Sequence, residues 1–207
     1  MKIVFFSLIL FSLADTGFGK VVRVTVDLSK PLGPLKHNGI GFLHSMSADQ
    51  PPEKFVKPLK PKLWRGANLL DTNLYSRLKL YGAQIQYVLS DDFHGRGIWP
   101  YENWDQWRSY VSNIAKTAKT NNWNLIWEPW NEPDDEYFWQ GSFEQYLTSF
   151  HIAYEEIKQI DNKAEISGPS LSAMNWAHAK ARIILFLEFF KAKGITCDYL
   201  TWHEFDD

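Results

Sequence analysis

Apolar residues along this chain gather in short runs, separated by longer stretches in which they recur every three or four positions. The runs fall at residues 39–43, 62–66, 84–90, 123–131, 164–168 and 197–203. Each has the length of a strand buried on both faces, as strands of a parallel sheet are. Between them, Phe143, Leu147, Phe150, Tyr154 and Ile157 line one helical face over residues 142–160, opened by Ser142 and Gln145 at capping-box spacing. Residues 103–121 place Trp107, Val111, Ile114 and Ala118 on a second stripe, and residues 175–193 read as a third helix stopped by Gly194. Strands alternating with helices imply parallel pairing. A doubly wound sheet would show a glycine-rich phosphate turn after its first strand. Here Gly39-Ile40-Gly41 runs into Phe42-Leu43-His44, with no third glycine and no helix start. The pattern therefore predicts an α/β fold of the TIM-type (β/α)8-barrel kind, incomplete, with about six of the eight β/α units present.

The N-terminal end follows another pattern. Lys2, an apolar run over residues 3–13 and small residues before Gly19 and Lys20 match the three regions of a secretory signal peptide. The run is too short to span a bilayer. Residues 1–19 are expected to be a signal peptide and residues 20–207 a partial barrel domain, secreted to the medium or a periplasm, with no membrane attachment after cleavage. Residues 21–27 alternate apolar and polar positions, as a half-exposed strand ahead of the barrel or beneath it would. Cys197 is the only cysteine, so no intrachain disulfide can form, and within an apolar run it reads as a small buried hydrophobe.

Of the 207 residues 45% are hydrophobic and 22% charged, with a formal net charge of −2, the profile of one globular domain. No basic stripe is available to neutralise nucleic-acid phosphates. Ten Trp, nine Tyr and fourteen Phe are an unusual surplus. Such rings either fill cores or offer flat faces to sugars.

The chemistry concentrates in Trp127-Glu128-Pro129-Trp130-Asn131-Glu132-Pro133, closing the fourth run. Barrel active sites lie at the C-terminal ends of the strands. Pro133 cannot donate to a sheet ladder, so Glu132 stands at the mouth of its strand. Cleaving a glycosidic bond takes a carboxylic acid to protonate the leaving oxygen and a neighbour that bonds a sugar hydroxyl in the transition state. Glu132 and Asn131 supply that pair. By strand alternation Glu128, Trp130 and Glu132 share a face, and Glu128 is read as a buried, paired carboxylate, since an unpaired charge there would be very costly. His44, after the first run, and Asp91, Asp92 and His94, after the third, fall in loops that line barrel pockets. Metal-ligand spacing is lacking, and His203-Glu204 has no second His four positions on.

Trp130-Asn131-Glu132-Pro133 resembles the strand-four signature of a large clan of retaining glycosidases. The likeness tightens to glycoside hydrolase family 39, which includes β-xylosidases and α-L-iduronidases. It rests on Glu128, Ile157-Lys158-Gln159-Ile160-Asp161, Ser167-Gly168-Pro169 and Asp198-Tyr199-Leu200-Thr201-Trp202-His203, in matching order and spacing. The resemblance implies Glu132 as acid/base, Asn131 as ligand of the sugar 2-hydroxyl, His203 as a polar wall of the subsite, and no cofactor; Trp130 in the motif and His44 in its pocket-lining loop are expected as further substrate contacts. Arg65 matches the clan's arginine beside the nucleophile, while an ordinary ion pair with Glu128 is its other reading. Two departures stand out. Phe205 occupies the place where the family usually has Tyr. The family's nucleophile, a Glu ending a seventh strand, has no counterpart before Asp207, so the 207 residues are expected to be an incomplete copy of a longer enzyme, unable to catalyse alone. The expected partner is an oligo- or polysaccharide. A non-catalytic sugar-binding or degenerate barrel, and another clan member such as an endo-glucanase or mannanase, are the alternatives.

Overall fold

A computed structural model describes residues 41–44, 46–66, 71–94, 98–173 and 178–204. The signal-peptide segment, the alternating stretch at residues 21–27, Phe205 and the side chain of His94 lie outside the described residues.

Six parallel strands form one sheet in sequence order, the β/α succession of a curled, incomplete TIM-type barrel. They are β1 (Gly41–Leu43), β2 (Leu63–Gly66), β3 (Gln84–Val88), β4 (Leu125–Glu128), β5 (Glu165–Leu171) and β6 (Tyr199–Trp202). The crossovers carry α1 (Glu53–Val56), α2 (Thr72–Tyr81), α3 (Leu89–His94), α4 (Trp104–Thr120), α5 (Phe143–Ile160) and α6 (Ala179–Lys193).

The helices foreseen from periodicity form where their caps place them. Asn103 caps α4 by accepting from the Gln106 N–H, and Ser142 and Gln145 close a reciprocal capping box on α5. Gly194 ends α6 at φ 64°, a left-handed turn that glycine adopts without steric cost. The 84–90 run is shorter than expected as a strand, because β3 ends at Val88 and Leu89 already begins α3.

Outward-facing residues of the strands make the core with the helices. Trp64, Ile85, Tyr87, Leu125, Trp127 and Ile166 are buried in one cluster with Trp107 and Val111 of α4 and Leu147, Phe150 and Ile157 of α5. The concave face differs from the expectation of uniformly apolar strands. Gln84 of β3 donates to Glu165 of β5 (2.7 Å), Gln86 of β3 to Ser167 of β5 (3.1 Å), and Arg65 of β2 to Glu128 of β4 (3.0 Å). Each bond skips a strand, so both partners must point to the inside of the curl. Tyr199 of β6 adds a bond to Glu165 at 2.9 Å. Amides and carboxylates, paired across neighbours, thus fill positions that branched aliphatics usually occupy in such barrels.

Candidate active site

The C-terminal rim of the sheet is built from strained backbone. His44 (φ 56°), Glu132 (φ 46°) and Ser170 (φ 59°) follow or end β1, β4 and β5 in the left-handed region that residues with a Cβ avoid. The cost is roughly 1–2 kcal/mol per residue. Backbone bonds hold these positions: the Glu132 N–H donates to the Ser170 carbonyl (2.9 Å) and the His44 N–H to the Arg65 carbonyl (2.8 Å). Strain kept in place at the mouth of a barrel points to a site whose side chains must be aimed.

Beneath the rim, Glu128 is 1% exposed and fully engaged. Its Oε1 accepts from Arg65 Nε (3.0 Å), Arg65 Nη2 and Ser170 Oγ (2.9 Å), and its Oε2 from Gln86 Nε2. Of the two readings of Arg65, this geometry shows the ion pair. Arg65 is the partner of Glu128, and the same Nη2 donates to Asn131 Oδ1 at 2.7 Å and to Ser170 Oγ at 3.2 Å. A guanidinium can only donate, so the facing atom of Asn131 must be its oxygen. The Nδ2 donors then point away from Arg65, and no protein acceptor takes them among the described residues. The Asn131 N–H is tied to Ser90 Oγ at the start of α3 (3.0 Å).

Glu132 itself is mostly enclosed. His203, immediately after β6, brings Nδ1 to 2.5 Å from Glu132 Oε1, while its own N–H donates to the Leu171 carbonyl (2.7 Å). Arg65 and His203 also line a cleft of about 390 Å³ with Gly41, Phe42, Leu43 and Glu204, between the first strand and the last. His44 stands at the rim, its carbonyl accepting from Trp64 Nε1 (3.0 Å). Asp91 lies behind, its carboxyl pushed above the usual range by burial, against the pull of the Arg65 and His44 charges. Asp92 is taken up by a hydrogen bond from Tyr87.

Trp130 does not sit where alternation put it. β4 ends at Glu128, so the two-residue period stops there and Trp130 turns outward. It is 1% exposed, donates Nε1 to the Phe138 carbonyl (2.8 Å), and packs with Trp99, Trp107 and Trp139 at centroid distances of 6.1, 5.8 and 4.9 Å. A ring without an accessible face cannot stack on a sugar. The expected substrate contact is corrected to core packing, which also accounts for most of the tryptophan surplus around the motif.

Gln86, Ser90 and Ser170 had no sequence signal. Four of their hydrogen bonds hold Arg65, Glu128 and Asn131 in register. Single small polar residues carry no periodicity or motif by which to find them.

Comparison with known proteins identifies the family. The profile of the glycosyl hydrolases family 39 matches residues 78–207. A β-xylosidase of Caldicellulosiruptor saccharolyticus is 25% identical over 120 residues, covering 55% of this chain and 23% of that protein. The structure of N2152 from Neocallimastix frontalis superposes with a TM-score of 0.62 at 25% identity, over 81% of this chain and 44% of that one. A monomeric β-xylosidase of Caulobacter crescentus shares the fold at a TM-score of 0.57 and 16% identity, over 85% of this chain and 44% of its own. The chain thus spans under half the length of each of these relatives.

Proposed function

The chain belongs to the glycosyl hydrolases family 39, and from that premise we propose that Glu132 is the general acid/base of a retaining glycosidase, with Asn131, Arg65 and His203 shaping the sugar site around it. The observation that carries the proposal is the division of labour between two neighbouring carboxylates. Glu128 has both oxygens saturated by Arg65, Gln86 and Ser170, whereas Glu132 stands at the rim on a strained backbone with only His203 against its carboxyl. A proton donor needs an oxygen that can face the substrate, so Glu132 can serve and Glu128 cannot.

In the proposed reaction Glu132 protonates the leaving oxygen as the glycosidic bond breaks. A second carboxylate, about 5 Å away, attacks the anomeric carbon from the other side. In the proposed reaction, as in the family this chain resembles, that nucleophile belongs to a strand beyond β6. Glu132, now ionised, then takes a proton from water, which releases the sugar with retained configuration. Asn131, its oxygen held by Arg65, offers Nδ2 to the sugar 2-hydroxyl. The substrate is an oligo- or polysaccharide, and β-xylosides are the first to test because two of the relatives are β-xylosidases. The signal-peptide pattern of residues 1–19 supports action outside the cell.

The test is made in the full gene product. Glu132→Ala should cut kcat on unactivated oligosaccharides by on the order of 100-fold to 10,000-fold. Aryl glycosides with good leaving groups should lose far less in the first step, and added azide should restore turnover as a glycosyl azide of retained configuration. Wild-type rates for Glu132→Ala on an unactivated oligosaccharide would remove Glu132 from the mechanism.

A further inference from the structure

Glu132 keeps its left-handed backbone beside a strand that offers it a relaxed alternative. β4 and β5 pair Ile126 with Glu165 and Trp127 with Ile166, and the same offset carried past the end of β4 sets Glu132 opposite Leu171. A parallel ladder in that register would take the Glu132 N–H to the Ser170 carbonyl and the Ser172 N–H to the Glu132 carbonyl. The first bond is made, at 2.9 Å. The second is not. The Glu132 carbonyl accepts from the Asp135 N–H instead (3.1 Å), and the Ser172 N–H donates to Asp134 Oδ1 (2.8 Å). A side-chain oxygen thus stands in for the backbone acceptor that the turn at Glu132 withdraws.

The stand-in is firmly held. The Asp134 side chain is fully buried, its Oδ2 lies 4.0 Å from Arg182 Nη1 of α6 and 3.6 Å from His178 Nε2, and its carbonyl accepts from the same Arg182 nitrogen (3.0 Å). Oδ2 makes no hydrogen bond among the described residues, so Oδ1 makes the one that ties the carboxylate to β5. Ser172 is buried as well, and a buried N–H that lost its acceptor would have to find another. Ladder geometry supplies the Glu132 carbonyl. Its capture would break the turn to Asp135, draw Glu132 toward the extended region and swing its carboxyl away from His203.

We propose that Asp134 is a positioning residue for the acid/base. Its carboxylate occupies the Ser172 N–H, and so leaves Glu132 free to hold the left-handed conformation that aims its carboxyl toward His203. The proposal rests on Glu132 being the acid/base.

A displaced acid harms only the substrates that need one. Fluoride leaves with little protonation, so the ratio of kcat/KM for a disaccharide to that for the matching glycosyl fluoride reports whether the acid is in place. Both substrates are assayed on one preparation, so a loss of folded enzyme cancels from the ratio. In the full gene product it is measured for whichever of xylobiose, cellobiose and mannobiose is cleaved. Asp134→Ala should lower the ratio on the order of tenfold to 100-fold. Asp134→Asn, which keeps an acceptor for the Ser172 N–H, should restore most of it. Arg182→Met loosens the anchor from its partly exposed side and should lower the ratio in the same sense. A wild-type ratio in Asp134→Ala, or in Arg182→Met where the alanine variant does not fold, overturns the positioning role and leaves the acid/base reading intact. A ratio in Asp134→Asn as low as in Asp134→Ala overturns it too, because the charge and not the accepted bond would then be at work. Glu132→Ala, run alongside, tests the premise: a wild-type ratio there removes the acid/base reading and the positioning role with it. Cleavage of none of these sugars by the wild-type enzyme overturns the glycosidase reading on which both rest.

Discussion

Removing the charge of Glu128 would strand Arg65 in a site where its side chain is 13% exposed. Breaking a buried pair from one side typically costs about 3–5 kcal/mol, because the surviving charge keeps its desolvation penalty without a partner. Glu128→Gln should lower the unfolding free energy by about that amount in denaturant titration, and Arg65→Met should do the same. The double variant with Met at both positions should recover a large part, since no charge is then left buried. Additive losses would mean that the pair is not coupled as its geometry implies. Cys197 offers a second test at this scale. Burial is the main cause that pushes its thiol up to about 12, with Sγ donating to the Tyr199 carbonyl at 3.1 Å. A raised thiol pKa means that the reactive thiolate appears only as pH climbs toward that value. Alkylation at pH 8 should therefore be slow in the folded protein and fast in denaturant. Cys197 is half-buried rather than fully buried as the apolar run suggested, and equal rates in the two conditions would show that this partial burial does not protect the thiol.

At the scale of elements, the fit between β5 and the helices explains a glycine that no turn requires. A Cβ on Gly168 would lie 2.5 Å from Phe150 Cε2, and that ring is locked between Phe186 and Phe190 at centroid distances of 5.1 and 5.2 Å. Gly168→Ala should cost about 1–3 kcal/mol through overpacking, read as a fall in Tm, and Phe150→Leu should relieve part of it. How far each element could be read beforehand follows from the same packing. α4 and α5 were legible because each buries one continuous stripe behind a polar cap. α2 was not, since Leu78 is its only buried residue, although Asp71 and Gly82 mark its two ends. α3 was read as part of β3 because Val88-Leu89 continues an apolar run through the point where the backbone turns. Within the site, Asn131 and Glu132 stood out as a pair in a motif. Trp130 was misplaced because alternation was carried past Glu128, where the strand stops.

Across the whole molecule, apolar surface is left open at one flank. Ile184 and Leu187 of α6 and Leu200 and Trp202 of β6 are each 43–48% exposed, and β6 pairs with β5 alone among the described strands. A sheet edge beside exposed apolar side chains invites association. The 207-residue chain should show concentration-dependent association in sedimentation velocity, shifted toward monomer by Trp202→Glu or Ile184→Lys. A single monomeric boundary at every concentration would contradict this. The inward amides bear on how the curl finds its alignment at all. A strand slid by one residue would swap its two faces and bring Gln86 or Glu128 out of reach of Ser167 and Arg65. Each buried polar group so stranded costs about 1–3 kcal/mol, whereas slid aliphatics would still find apolar company. The hydrogen-bonded interior thus makes a misaligned sheet costlier than an all-aliphatic interior would, so the polar pairs act as a check on strand register.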